Sequence, residues 1–189
     1  MAVIFQLWAE CKDIKSLNSL KAHFDGLEYT LLNGRNLRFS TSITEIPTSG
    51  LIVESFQLGK GRGIENLNDA LEATEVGMFF YSCLRNAPEF RFASVGWDVE
   101  NQYIANDLSE CVNNLEDGRK IWNGFECVIN NELYEKLGSP IQLWKFSDGY
   151  WWSKFRGETY DPLFSDDQKE LRDLCEQLLP NNFDRSHNG

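Results

Sequence analysis

The period of apolar and polar positions changes repeatedly along the chain, and each change marks an element. Residues 3–8 are an apolar, β-rich run and predict a first strand. Asp13 is placed to cap a helix whose stripe is Ile14, Leu17, Leu20 and Phe24, with Gly26 as its stop. Residues 27–32 and 37–41 flank Asn33-Gly34, a hairpin signal. Residues 51–58, entered through Pro47 and Gly50, predict a further strand. Ile64, Leu67, Ala70 and Leu71 then open a helical pattern. That helix either stops at Gly77, leaving 78–84 as a strand, or runs on to Arg85. Asn86-Ala87-Pro88 breaks the chain in both cases.

Residues 90–100 are strand-like in two phases. Phe90 and Phe92 alternate on one, while Ala93, Val95, Trp97 and Val99 alternate on the other, which predicts a bulge near Gly96. Asp107 and Glu110 form a capping box. Leu108, Cys111, Val112 and Leu115 follow at helical spacing, up to Gly118. Residues 125–129 predict a strand and 131–137 a short helix closed by Gly138 and Pro140. In 141–156, Asp148-Gly149 fits a two-residue turn. That register pairs Phe146 with Trp151, and it puts Trp144, Phe146, Trp151 and Phe155 on one face. Lys145, Trp152 and Lys154 fall on the other. Ser165 and Gln168 box the start of a last helix with the stripe Leu171, Leu174, Cys175 and Leu178, ended by Pro180.

Helices and hairpins interspersed in this way predict an α+β fold with a mostly antiparallel sheet and about four to five helices. Residues 1–180 are expected to form one globular domain and 181–189 a flexible tail, because 189 residues suffice for one core.

Composition narrows the function classes. Eighteen basic residues against 29 acidic ones leave a net charge of −11. Such a chain is repelled by phosphate backbones and anionic lipid, so neither nucleic acid nor membrane is the expected partner. A basic protein partner fits better. Residues 1–10 lack a basic leader, and no apolar run reaches the ~18 residues of a membrane span. Five widely spaced cysteines with no C-x-x-C pair read as free, mostly buried thiols in a reducing cytoplasm.

Catalytic chemistry is thinly supplied. There are two histidines, His23 beside the first helical stripe and His187 near the C-terminus. Nucleophiles and metals that rely on histidine therefore lack partners, and neither a metal nor a cofactor is expected. Asp98 and Glu100, two apart on a strand, are an acid pair or, more commonly, two solvated carboxylates. The segment Gly59, Lys60, Gly61, Arg62, Gly63 lies between a strand and a helix start. Glycine amides, two cations and a helix N-terminus together make an anion-binding arrangement. The spacing departs from the Walker loop, which needs Ser or Thr after the lysine, and from the dinucleotide fingerprint. Gln57 with Gly61-x-Gly63 resembles the pyrophosphate loop of the GNAT acetyltransferases, with one residue more between the glutamine and the glycines. That resemblance implies an acyl-CoA-dependent transferase.

Tyr150, Trp151, Trp152, Phe155, Tyr160 and Phe164 crowd together near the C-terminus, as core or as a surface. By the hairpin register Trp152 is the member expected to be exposed. Together these features predict a non-catalytic acidic binding protein. Its composition resembles that of compact acidic inhibitors, bacterial immunity proteins among them. Trp152, Asp166, Asp167, Glu170 and Asp173 are the expected interface residues. Binding of a phosphate-containing ligand at Gly59–Gly63 is the alternative.

Overall fold

The computed structural model describes residues 5–46, 50–57, 63–97, 108–158 and 165–178. Side chains are described at 5–44, 63–97, 108–158 and 168–178. The fold is α+β. An eight-stranded sheet in the order β2-β3-β4-β1-β5-β8-β10-β9 is antiparallel at every pairing.

The first strand, β1 (Phe5–Cys11), lies in the middle of the sheet, and all seven of its residues are buried. Alternation along it therefore separates two cores rather than core from solvent. Phe5, Leu7, Ala9 and Cys11 face one cluster with Leu17, Leu20, Phe24, Phe80 and Tyr81. Trp8 faces a second cluster with Phe92, Leu108, Trp122 and Leu133. Glu10 is fully buried on β1, where Arg91 reaches it at 2.7 Å.

Helix α1 (Ile14–Phe24) starts where the Asp13 carboxylate accepts from the Ser16 amide at 2.8 Å. It stops before Gly26, whose φ of +73° is the left-handed conformation glycine adopts without strain. Leu17, Leu20 and Phe24 are buried, whereas Ile14, expected in the same stripe, is 57% exposed. The strands β2 (Glu28–Thr30) and β3 (Asn36–Ile46) form the expected hairpin around Asn33-Gly34. Strand β4 (Gly50–Gln57) pairs with β3 and β1.

Helix α2 (Leu67–Leu84) runs straight through Gly77, so residues 78–84 are helical. Strand β5 (Phe92–Trp97) pairs with β1 from Glu10↔Phe92 to Phe5↔Trp97 without a break. The expected bulge near Gly96 is thus absent from that pairing. Both phases of β5 are buried because both faces of the sheet are covered.

The helix expected from Leu108 is a single 3₁₀ turn, Leu108–Cys111. The chain then extends as β6 (Val112–Asn114) and returns as β7 (Lys120–Trp122). Gly118, at φ +83°, turns this hairpin instead of ending a helix. A β-branched valine and two asparagines are poor helix formers, and the tertiary pairing overrides the apolar spacing.

Strand β8 (Cys127–Asn130) leads into α3 (Asn131–Lys136), capped by Asn130 on the Leu133 amide at 2.9 Å. The hairpin β9 (Trp144–Ser147) and β10 (Tyr150–Ser153) forms around Gly149 at φ +79°. Tyr150 pairs with Ser147 as expected, but the register then slips, so that Trp151 pairs with Lys145 and Trp152 with Trp144. Helix α4 (Ser165–Leu178) packs on α2, with Leu171 and Cys175 buried. Among the described residues no helix is long and apolar enough to cross a membrane.

Candidate functional site

The register slip decides where the aromatic residues go. Trp152, expected to be exposed, is fully buried between Tyr81 and Phe146, with ring centroids 5.4 and 5.5 Å away. One residue of offset carries a side chain to the opposite face of a strand. Trp151 takes the other face. It stacks on Tyr134 of α3 at 3.9 Å, and its indole N–H donates to Asn131 Oδ1 at 3.0 Å. The hairpin aromatics are thus mostly core and helix-covered packing, and Trp152 is removed from any interface.

Of the glycine-rich loop, Gly59, Lys60, Gly61 and Arg62 lie outside the described residues. Gly63 is described, and α2 begins only at Leu67. The start of α2 is closed by its own side chains. Asn66 Oδ1 accepts from the Asp69 amide at 3.1 Å, and Asp69 Oδ2 accepts from Asn66 Nδ2 at 2.8 Å. Asp98, Glu100, Asp107, Tyr160, Phe164 and residues 181–189 also lie outside the described residues, as do the side chains of Asp166 and Asp167.

Glu170 and Asp173 are exposed on α4, and here the structure adds what the sequence did not show. Helices α2 and α4 lie side by side, and the β2–β3 turn closes one end of the trough between them. Glu72 and Glu75 line it from α2, Glu170 and Asp173 from α4, and Leu32 and Asn33 from the turn, around a volume of about 590 Å³. Leu32 is 62% exposed, an uncovered apolar residue among carboxylates.

The groove's carboxylates are held in different ways. Glu75 is buried and accepts from the Tyr29 hydroxyl at 2.9 Å and the Leu32 amide at 2.8 Å. Burial, with that contact, pushes the Tyr29 hydroxyl well above its ordinary range. Glu72 pairs with Arg35 and accepts from Asn33 Nδ2 at 2.9 Å. Asp173 pairs with Lys169 at 2.6 Å, one turn back. The first two fix the β2–β3 turn to α2, while Glu170 and the Asp173–Lys169 pair are exposed to solvent. Glu72 and Glu75 follow one another at i, i+3 in the sequence, but only the α2–α4 packing makes that spacing one wall of a groove.

Elsewhere, titratable groups serve the fold. His23 Nε2 lies 3.2 Å from the Cys83 carbonyl. Among the described residues no group of three or more His, Cys, Asp or Glu side chains is placed to hold a metal ion. Burial raises the Cys11 thiol to about 12 and those of Cys83 and Cys175 to about 11, which keeps them protonated and poorly nucleophilic. One carboxyl group stands apart: burial, then the neighbouring Glu126, raises Glu158 to about 7.

In comparisons with known proteins, no family model, no curated protein and no solved structure matches this chain.

Proposed function

We propose that this protein is a non-catalytic acidic binding protein, inhibitor-like or immunity-like, that receives a basic segment of a protein partner in the α2–α4 groove. The observation that carries this reading is the gathering of Glu72, Glu75, Glu170 and Asp173 around the exposed Leu32. Carboxylates on a concave surface focus field toward an approaching cation and speed encounter. An uncovered leucine beside them supplies apolar area that a partner's side chain would bury. The net charge of −11 adds long-range steering of the same sign. The described cysteines are all free, which supports a reducing compartment, the cytoplasm.

The test is binding of defined basic partners to the wild type and to a Glu170→Lys/Asp173→Lys variant. Both positions are exposed, so the variant is expected to fold. A cationic partner from the source cell that binds the wild type, weakens steeply with salt and loses at least about tenfold affinity for the variant supports the reading. A partner that binds both proteins equally, with no salt dependence, removes the groove from the function.

A further inference from the structure

The opposite flank of α4 carries a second concavity of the opposite sign. Leu171, Arg172 and Cys175 face it, whereas Glu170, Asp173 and Leu174 face the acidic groove. This second cleft has a volume of about 790 Å³, within the range that holds small molecules. Its walls are apolar: Trp122, Phe155, Leu171 and Cys175 all line it, and each is less than a tenth exposed. The Trp144 indole stands at its rim with Lys154 Nζ over the ring, 4.0 Å from the centroid.

Charge distinguishes it further. Lys154, Arg156 and Arg172 line the cleft against one carboxylate, Glu176, in a chain whose net charge is −11. All three cations are exposed, and none of them makes an ion pair among the described residues. Arg172 Nε donates to the Gln168 carbonyl at 3.3 Å, within its own helix. Three cations converging on one apolar cleft repel each other, and an anion among them relieves that repulsion. Arginine and lysine at the mouth suit a carboxylate or a phosphate, while tryptophan, phenylalanine and leucine walls suit a flat ring.

We propose that this cleft binds a small aromatic anion, a ring system bearing a carboxylate or phosphate. Its negative group meets Lys154, Arg156 and Arg172, and its ring lies against Trp144 and Leu171. This site is independent of the acidic groove, and either can fail without the other.

Calorimetric titration of the full chain with adenosine 5′-monophosphate and with indole-3-acetate separates the phosphate and carboxylate forms. Adenosine and inorganic phosphate serve as the two halves. The expected result is saturable binding of at least one aromatic anion with a Kd below about 1 mM, with each half at least about tenfold weaker. A Lys154→Ala/Arg172→Ala variant is expected to lose about tenfold or more in affinity at an unchanged unfolding temperature, since both side chains are exposed. Glu170→Lys/Asp173→Lys is expected to bind as the wild type does. Absence of binding by both aromatic anions overturns the proposal. So does inorganic phosphate binding as tightly as the nucleotide, or full affinity in the Lys154→Ala/Arg172→Ala variant.

Discussion

Phe155 lies across Gly77 of α2, so that a Cβ at position 77 would stand 2.5 Å from Phe155 Cε1. Alanine in a helix is ordinarily favoured over glycine by about 1 kcal/mol. Here the ring is buried and packed on Tyr81 at 5.5 Å, so it has little freedom to give way. Gly77→Ala is expected to destabilise the protein by about 1–3 kcal/mol in urea unfolding. In a Phe155→Leu background, where the distal ring atoms are gone, the same change is expected to cost at least about 1 kcal/mol less. A stabilising Gly77→Ala in the wild type would show that the contact between Phe155 and α2 is loose.

Glu10 and Arg91 form an ion pair at 2.7 Å, with the glutamate side chain 1% and the arginine side chain 23% exposed. A second bond, from the Arg91 amide to the Glu10 carbonyl at 2.8 Å, ties the same two residues through their backbones. Removing the guanidinium withdraws a positive charge from beside a buried carboxylate. Arg91→Met is therefore expected to cost about 3 kcal/mol or more. The double variant Glu10→Leu/Arg91→Met is expected to recover part of that loss, because the buried carboxylate is removed together with the guanidinium. Chemical denaturation of the three proteins decides it, and a double variant less stable than Arg91→Met alone would refute the account.

What the sequence made legible was local. Asp13 and Gly26 bracket α1, and Asn33-Gly34 sits in its hairpin, because caps and turns are set by a residue's own backbone preferences. The α+β class followed from the density of such signals. Other elements are set by tertiary context. The bulge inferred at Gly96 assumed that one face of β5 meets water, and burial of both faces removes the need for it. The helix inferred from Leu108 had correct apolar spacing, yet Val112 and its neighbours pair with β7. Trp152 was misplaced by a register slip between Tyr150 and Trp151 that the Asp148-Gly149 turn does not encode. The acidic groove was half legible: Glu170 and Asp173 read as one helix face, but their meeting with Glu72 and Glu75 depends on packing across about a hundred residues of chain.

Thiol labelling tests the burial of the cysteines. Desolvation raises all five thiols, Cys11 to about 12 and Cys127 well above its ordinary value. Cys83 is the least enclosed, being half-buried where the other four are buried. Native protein with an aromatic disulfide reagent at pH 8 is expected to react slowly, at Cys83 first, and to expose all five thiols only on unfolding. Mass mapping identifies the site, and rapid modification of Cys11 or Cys127 would contradict the packing around β1 and β8.

Glu158 gives the fold a pH dependence of unusual sign for a carboxylate. It lines a cleft with Glu126 and Trp97, and its backbone amide donates to Thr74 Oγ1 at 2.8 Å. Burial, then repulsion from Glu126, lifts its carboxyl from 4.5 to about 7, against a smaller opposing hydrogen bond from Trp97. The folded state therefore holds the proton more tightly than the unfolded chain. Its contribution to stability is fully present below about pH 4.5 and is lost as pH rises through about 7. Glu158→Gln keeps the shape and removes the charge. It is expected to unfold at a higher temperature than the wild type at pH 8 and at nearly the same temperature at pH 4. Carboxyl NMR of the wild type should place the Glu158 midpoint near 7. A midpoint in the ordinary glutamate range, with wild type and variant unfolding together at pH 8, would mean that solvent reaches this carboxylate and Glu126 does not repel it.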